Sequence, residues 1–191
     1  MPQRSLTRTI LQPFAIAIGL ALIARSVVHI YSIPSTSMTP TLQPGDHIVV
    51  TPYRFGAKPE RGHVVVFRHG DEVLVKRVIA VPGDLIDSRL GRPRIGGRPL
   101  DETYVQRPAS TGAIQAEIVA SDCYFVMGDN RDDSIDSRSW GLVPREALVG
   151  RARLILWSSN GESNAVARAK TVSRESDSPS QRAQRLFKWI E

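Results

Sequence analysis

Hydrophobic and polar positions follow three regimes along this chain. Thr9 to Ala24 contains no charged residue, and with Arg25 as the one interruption the apolar character continues to Tyr31. Residues 9–31 number 23, and as a helix they would extend about 34 Å, enough to cross a hydrocarbon core of about 30 Å. Arg25 lies toward the far end, where a long side chain snorkels to the headgroups. Pro13 sits near the start, where a bend costs least.

From residue 32 to 157 the pattern changes to short runs rich in Val and Ile, bounded by Pro-Gly, Gly-Asp and Gly-Gly. These predict strands at His47–Thr51, His63–Arg68, Glu72–Val81, Gln115–Val119, Cys123–Met127 and Arg151–Trp157. Ile95-Gly96-Gly97-Arg98 reads as a tight hairpin. No helical period is sustained between residues 40 and 157, and there is no internal repeat. Ser158 to Gln181 is dominated by Ser, Asn, Arg and Glu and reads as a flexible segment. Residues 182–191 close the chain with Arg182 to Ile190, read either as a short amphipathic helix on lipid or as a tail packed on its own domain.

Charge orients the first regime. Arg4 and Arg8 precede it, whereas no Lys or Arg occurs between Ser26 and Arg54. That asymmetry predicts residues 1–8 in the cytoplasm, a single span over 9–31 and everything after Tyr31 outside. A cleaved signal peptide would share the basic start. The only Ala-x-Ala of this N-terminal stretch, Ala15 to Ala17, lies inside the apolar run rather than after it, so a retained anchor is the expectation. The formal charge of +6 comes from scattered Lys and Arg with no basic helix carrying interleaved aromatics, which argues against nucleic-acid binding. Cys123 is the single cysteine, so no internal disulfide forms, and its strand context predicts an inert core thiol.

The candidate chemistry starts at Ser37, a hydroxyl held between Pro34 and Pro40 just after the apolar stretch. A nucleophilic serine needs a base. His29, His47, His63 and His69 show no Gly-x-Ser-x-Gly elbow and no zinc-ligand spacing; a Ser-His-Asp triad stays open because triads are geometric. The other base is a lysine made neutral by burial among apolar groups. Only Lys76, among Lys58, Lys76, Lys170 and Lys188, lies inside an apolar strand, with Leu74 and Val78 on its face by alternation. An edge-strand lysine guarding against aggregation is the competing explanation. The polar run Gly128 to Arg138 lacks calcium-loop ligand spacing, with Arg131 at the third position. It is either a solvated loop or a loop whose short side chains pin other groups.

Four blocks then carry a resemblance. Ile33-Pro-Ser-Thr-Ser-Met-x-Pro-Thr-Leu42, Arg61-Gly-x-Val-Val-Val-Phe67, Lys76-Arg-Val-x-x-x-Pro-Gly-Asp84 and Gly128-Asp-Asn-Arg-Asp-x-Ser-x-Asp-Ser-Arg-x-Trp-Gly141 follow one another after the apolar start. Together they resemble the type I signal peptidases, and Arg185 to Lys188 is similar to the family's C-terminus. The resemblance implies a mainly β fold: a membrane-anchored, antiparallel, barrel-like domain with one N-terminal transmembrane helix and a shallow apolar cleft. It implies a serine–lysine dyad with Ser37 as nucleophile and Lys76 as general base. Ser35 Oγ and the Ser37 N–H would form the oxyanion hole, and Ser134 would hydrogen-bond and aim the lysine. Asp129, Asp136 and Arg138 would brace the site through ion pairs, with Arg77 the partner of Asp129. No metal or cofactor is implied.

The implied partners are exported preproteins, cut after small residues at −1 and −3, and membrane lipid. The implied location is the plasma (inner) membrane, with residues 32–157 as the catalytic domain outside. A specialised processing peptidase for pilin or conjugation substrates, or a tethered β domain that only binds peptides, are the alternatives. Three positions depart from the family's commonest pattern. Thr36 stands where glycine is frequent, His63 replaces an aspartate and Asp133 replaces a frequent asparagine. Only 44 residues separate Asp84 from Asp129, so the accessory β subdomain of some relatives is expected to be reduced.

Overall fold

The computed structural model describes residues 11–19, 28–54, 57–110, 112–159 and 188–190. Residues 11–19 form helix α1 with Leu11, Phe14, Ile16 and Ile18 exposed. Among the described residues no helix is long and apolar enough to cross a membrane. The expected anchor needs a correction at its end. His29–Ser32 is a strand, β1, because its extended backbone pairs antiparallel with β2 (Asp46–Thr51), His29 opposite Val50 and Ser32 opposite His47. Residues 1–10 and 20–27 of the expected cytoplasmic segment and anchor lie outside the described residues.

The main sheet is antiparallel throughout its described pairings. Its strands are β3 (Val64–His69), β4 (Glu72–Ala80), β9 (Cys123–Met127), β10 (Val143–Pro144) and β11 (Leu148–Ser158), with β12 (Lys188–Trp189) at the C-terminus. The order is β1-β2-β11-β3-β4-β9-β10, and β12 pairs with β11. A smaller sheet fills the region between Asp84 and Asp129 with β5 (Leu85–Arg89), β6 (Arg92–Ile95), β7 (Arg98–Pro99) and β8 (Glu117–Ile118), ordered β7-β6-β5-β8. Ile95 pairs with Arg98 across the expected Gly-Gly hairpin. The predicted strands at residues 47–51, 63–68, 72–81, 123–127 and 151–157 are present with small shifts at their ends. The one predicted over Gln115–Val119 shortens to Glu117–Ile118, which pair with β5.

Both faces of the main sheet are buried, so its central strands read as unbroken apolar runs rather than alternating ones. In β3, Val64 and Val66 join a cluster with Met38, Leu42, Ile48 and Ile155, while Val65 and Phe67 face Val78, Tyr124 and Val126. A third cluster, including Ile79, Ile86, Val119 and Phe125, seals the small sheet onto the large one. Cys123 packs only partly buried against that cluster, so the expected core thiol sits at the core's margin.

Two further expectations change. Ser137–Trp140 is a short helix, α2, capped by Asp136, in a stretch where no helical period is visible. One turn is too short to show a period. At the C-terminus, the amphipathic helix is replaced over its described residues by β12, and Ile190 is buried in the Met38 cluster. The extended form gains ladder bonds to β11 and buries Ile190, which a helix lying on lipid would forgo. Residues 160–181 and 182–187 lie outside the described residues.

Candidate active site

Ser37 sits in the connection from β1 to β2. That connection is folded back onto the sheet because Met38 and Leu42, the apolar residues that follow, are 1% and 0% exposed in the main cluster. A turn closes behind the serine, with Thr39 N–H donating to Thr36 O at 3.0 Å and Leu42 N–H to Met38 O at 2.9 Å. Burying a side chain of this size contributes about 1.5–3 kcal/mol, so the methionine immediately after Ser37 fixes the height of the hydroxyl above the sheet.

Lys76 comes from β4, an interior strand between β3 and β9. That placement removes the edge-strand explanation for a lysine in an apolar run. The side chain is buried, with the residue 4% exposed, and its Nζ donates to Ser37 Oγ at 2.7 Å. Burial lowers the lysine below its ordinary value; the charge of Asp136 opposes that shift, that of Arg138 assists it, and those of Asp129 and Asp133 oppose it. Ser35, exposed at the surface, places its hydroxyl 3.2 Å from Ser37 Oγ. Among the described residues no histidine is hydrogen-bonded to Ser37. His47 stacks on Trp157 and His69 on Trp140, while His63 Nδ1 meets Tyr53 Oη at 3.1 Å.

The run from Gly128 to Arg138 follows β9, the neighbour of β4, and therefore lies beside Lys76. It is a pinning loop, and its buried charges are paired. Arg77 Nε and Nη2 donate to the two oxygens of Asp129 at 2.9 Å each, with both side chains almost wholly buried. Thr41, from the same connection as Ser37, adds a hydroxyl donor to Asp129 Oδ2 at 2.5 Å. Arg138 grips Asp136 in the same forked way, at 2.7 and 2.8 Å. Burial would raise the Asp136 carboxyl, yet donation and charge from Arg138, the Gly128 N–H and the Ser134 hydroxyl together hold it below the usual carboxylate range.

Ser134, implied to hydrogen-bond and aim the lysine, lies in the loop beside it and is itself tied to Asp136. Its hydroxyl donates to Asp136 Oδ2 at 2.8 Å, the strongest acceptor within reach, while the described bond of Lys76 goes to Ser37. Gly128 explains the close fit here: a Cβ there would lie 2.5 Å from both Ser134 Cβ and the Ser37 carbonyl oxygen.

Several contributors have little sequence signal. Asn130 N–H donates to Ser37 O at 3.0 Å, and its Nδ2 to Thr36 O at 3.2 Å. Glu102, from the connection between β7 and β8, forms a buried pair with Arg131, whose Nε in turn holds Gly128 O at 3.0 Å. Tyr104 lies 3.9 Å from the Arg77 guanidinium carbon, ring face inward. Asn130 could have been found as the one uncharged polar side chain in Asp129 to Asp133. Glu102 and Tyr104 could not, being defined by contact alone.

The family model described as signal peptidase, peptidase S26, matches residues 6–157. The probable signal peptidase I-2 of Synechocystis sp. is 37% identical over 163 residues, covering 80% of this chain and 72% of its own. Signal peptidase I of Leptolyngbya laminosa is 39% identical over 140 residues, covering 67% of this chain and 68% of its own. A crystal structure of a signal peptidase I from Enterococcus faecalis V583 aligns with 50% of this chain and 97% of that one, at 29% identity and a TM-score of 0.43. The chain belongs to the signal peptidase family, peptidase S26. It is an enzyme of the signal peptidase I type, and its activity is the removal of signal peptides from preproteins.

Proposed function

We propose that Ser37 and Lys76 are the nucleophile and general base of this peptidase. The observation that carries the reading is the 2.7 Å hydrogen bond between Lys76 Nζ and Ser37 Oγ, made by a buried lysine whose ammonium form is disfavoured. Neutral Lys76 takes the Ser37 proton as Oγ attacks the scissile carbonyl. The oxyanion is held by the Ser37 N–H and the Ser35 hydroxyl, already 3.2 Å from the attacking oxygen. The resulting ammonium protonates the leaving amine, and Lys76 then activates water to release the acyl group. Ser134, Asp136 and Arg138 orient this centre, and the Arg77–Asp129 pair braces the wall behind it.

We further propose that residues 9–28 hold the enzyme in the plasma membrane with the catalytic domain outside. The apolar run, uncharged over Thr9–Ala24 and interrupted only at Arg25, and the Arg4/Arg8 asymmetry support this. Its substrates are then exported preproteins presented at the lipid surface. The test of the dyad is cleavage of a preprotein, or of an Ala-x-Ala peptide, by the wild type beside Ser37→Ala and Lys76→Ala. Both variants are expected to be inactive, and cleavage surviving in either would sink the assignment. For topology, a phosphatase fused after Tyr31 is expected to be active; an inactive fusion would overturn the exported orientation.

A further inference from the structure

We propose that Asp133 is a positioning residue that, through the Thr36 hydroxyl, fixes the peptide carrying the Ser37 N–H. The proposal deepens the Ser37–Lys76 reading and rests on it. Thr36 Oγ1 donates to Asp133 Oδ2 at 2.5 Å, a bond to a charged acceptor between segments 97 residues apart. The same turn, closed by Asp133 N–H donating to Asn130 O at 3.1 Å, sends Asn130 Nδ2 to Thr36 O at 3.2 Å. Its backbone N–H binds Ser37 O at 3.0 Å. Three bonds from residues 130–133 thus converge on two consecutive residues.

The consequence follows from peptide planarity. In a trans peptide the C=O and N–H point in opposite directions. Holding the Thr36 carbonyl toward Asn130 therefore aims the Ser37 N–H the other way, free for the oxyanion. Thr36 is β-branched, so a single bond at Oγ1 locks its one stiff side-chain torsion and with it the local backbone. Thr36 and Asp133 are also two of the three departures from the family's commonest pattern. They are departures that meet each other: a hydroxyl where glycine is frequent, and a carboxylate to receive it.

The test is a double-mutant cycle on the full enzyme, reading kcat and KM separately with a preprotein-derived peptide. Thr36→Val and Asp133→Ala are each expected to lower kcat by roughly tenfold, the size of one hydrogen bond to a charged acceptor, with KM within about twofold. The double variant is expected to be no slower than the slower single one. Thr36→Ser keeps the donor and is expected to recover most of the rate, whereas Asp133→Asn keeps an acceptor without its charge and is expected to fall between wild type and Asp133→Ala. Both positions are exposed, so the thermal midpoint should stay near that of the wild type. Additive losses, unchanged kcat in the single variants, or failure of Thr36→Ser to recover would overturn the proposal. Ser37→Ala runs alongside. If it is inactive while Thr36→Val matches wild type, the latch falls and the dyad stands; if it cleaves, the dyad itself falls.

Discussion

Gly128→Ala is the sharpest perturbation this geometry allows. The added methyl would lie 2.5 Å from the Ser37 carbonyl oxygen and 2.5 Å from Ser134 Cβ, whereas ordinary contact begins near 3.4 Å. The shortfall is about 0.9 Å on each side. Neither neighbour can swing away. The Ser37 carbonyl is backbone held by Asn130 N–H at 3.0 Å, and Ser134 is tied to Asp136 at 2.8 Å. The strain must therefore appear as a shift of Ser37, of the loop, or of both. A misplacement of about 1 Å at a reacting centre costs roughly 100-fold in rate. Overpacking a tight site costs about 1–3 kcal/mol of stability. The expected outcome is a fall of about 100-fold in kcat/KM, with a folded protein of lowered thermal midpoint. Adding Ser134→Ala should not restore the rate, because the clashes with Ser134 Cβ and the Ser37 carbonyl remain. Wild-type kcat/KM in Gly128→Ala, or full rescue by Ser134→Ala, would refute the reasoning.

Asp129→Asn leaves Arg77 buried without its counter-charge, and loss of one partner of such a pair costs about 3–5 kcal/mol; urea denaturation should show it as a lowered midpoint. Arg138→Gln removes a charge that lowers Lys76 and leaves Asp136, which raises it, uncompensated. The lysine then stays protonated to higher pH, so the rising limb of the pH–rate profile should move upward; an unmoved or lowered limb would contradict the charge arrangement. In the wild type that limb should lie below the ordinary lysine value, because burial depresses Lys76. Ile190→Ala empties a buried position beside the Met38 cluster. It should cost about 2–4 kcal/mol in chemical denaturation.

Legibility in the sequence followed the physics of each element. Strands with buried faces on both sides announce themselves as apolar runs, Val64–Phe67 within β3 and all of Cys123–Met127. The short strands Leu85–Arg89 and Arg92–Ile95 do not, since arginine, aspartate and proline occupy half their positions and pairing alone makes them extended. His29–Tyr31 failed in the other direction. Apolar composition there suits a bilayer helix and a sheet strand equally, and only the partner strand Asp46–Thr51 decides between them. For the site, Ser37, Lys76 and the Gly128–Arg138 run were visible as residue types in unusual settings. Thr41, Glu102 and Tyr104 were not, because an ordinary threonine, glutamate or tyrosine acquires its role only from what the fold sets beside it.

The loop after β9 bears on how a lysine could serve as a base among so many acidic residues, as the proposed dyad requires. Asp129 and Asp136 both act to raise Lys76 and so to keep it charged, which would disable it as a base near neutral pH. Each is met by a forked guanidinium, from Arg77 and Arg138, with its remaining oxygen lone pairs taken by Thr41, Ser134 or the Gly128 N–H. A carboxylate so satisfied projects little field beyond its partner, whereas a bare one would dominate the site. Desolvation of the lysine is then left as the largest influence, and desolvation favours the free amine. On the proposed dyad, Arg138 is therefore part of what would let Lys76 act as a base, and Arg77 serves by satisfying Asp129. A loop that looks like solvated surface in the sequence thus presents, at Asp129 and Asp136, paired rather than bare charge toward the lysine, with exposed Asp133, of the carboxylates acting on Lys76, the one left without a cationic partner among the described ion pairs.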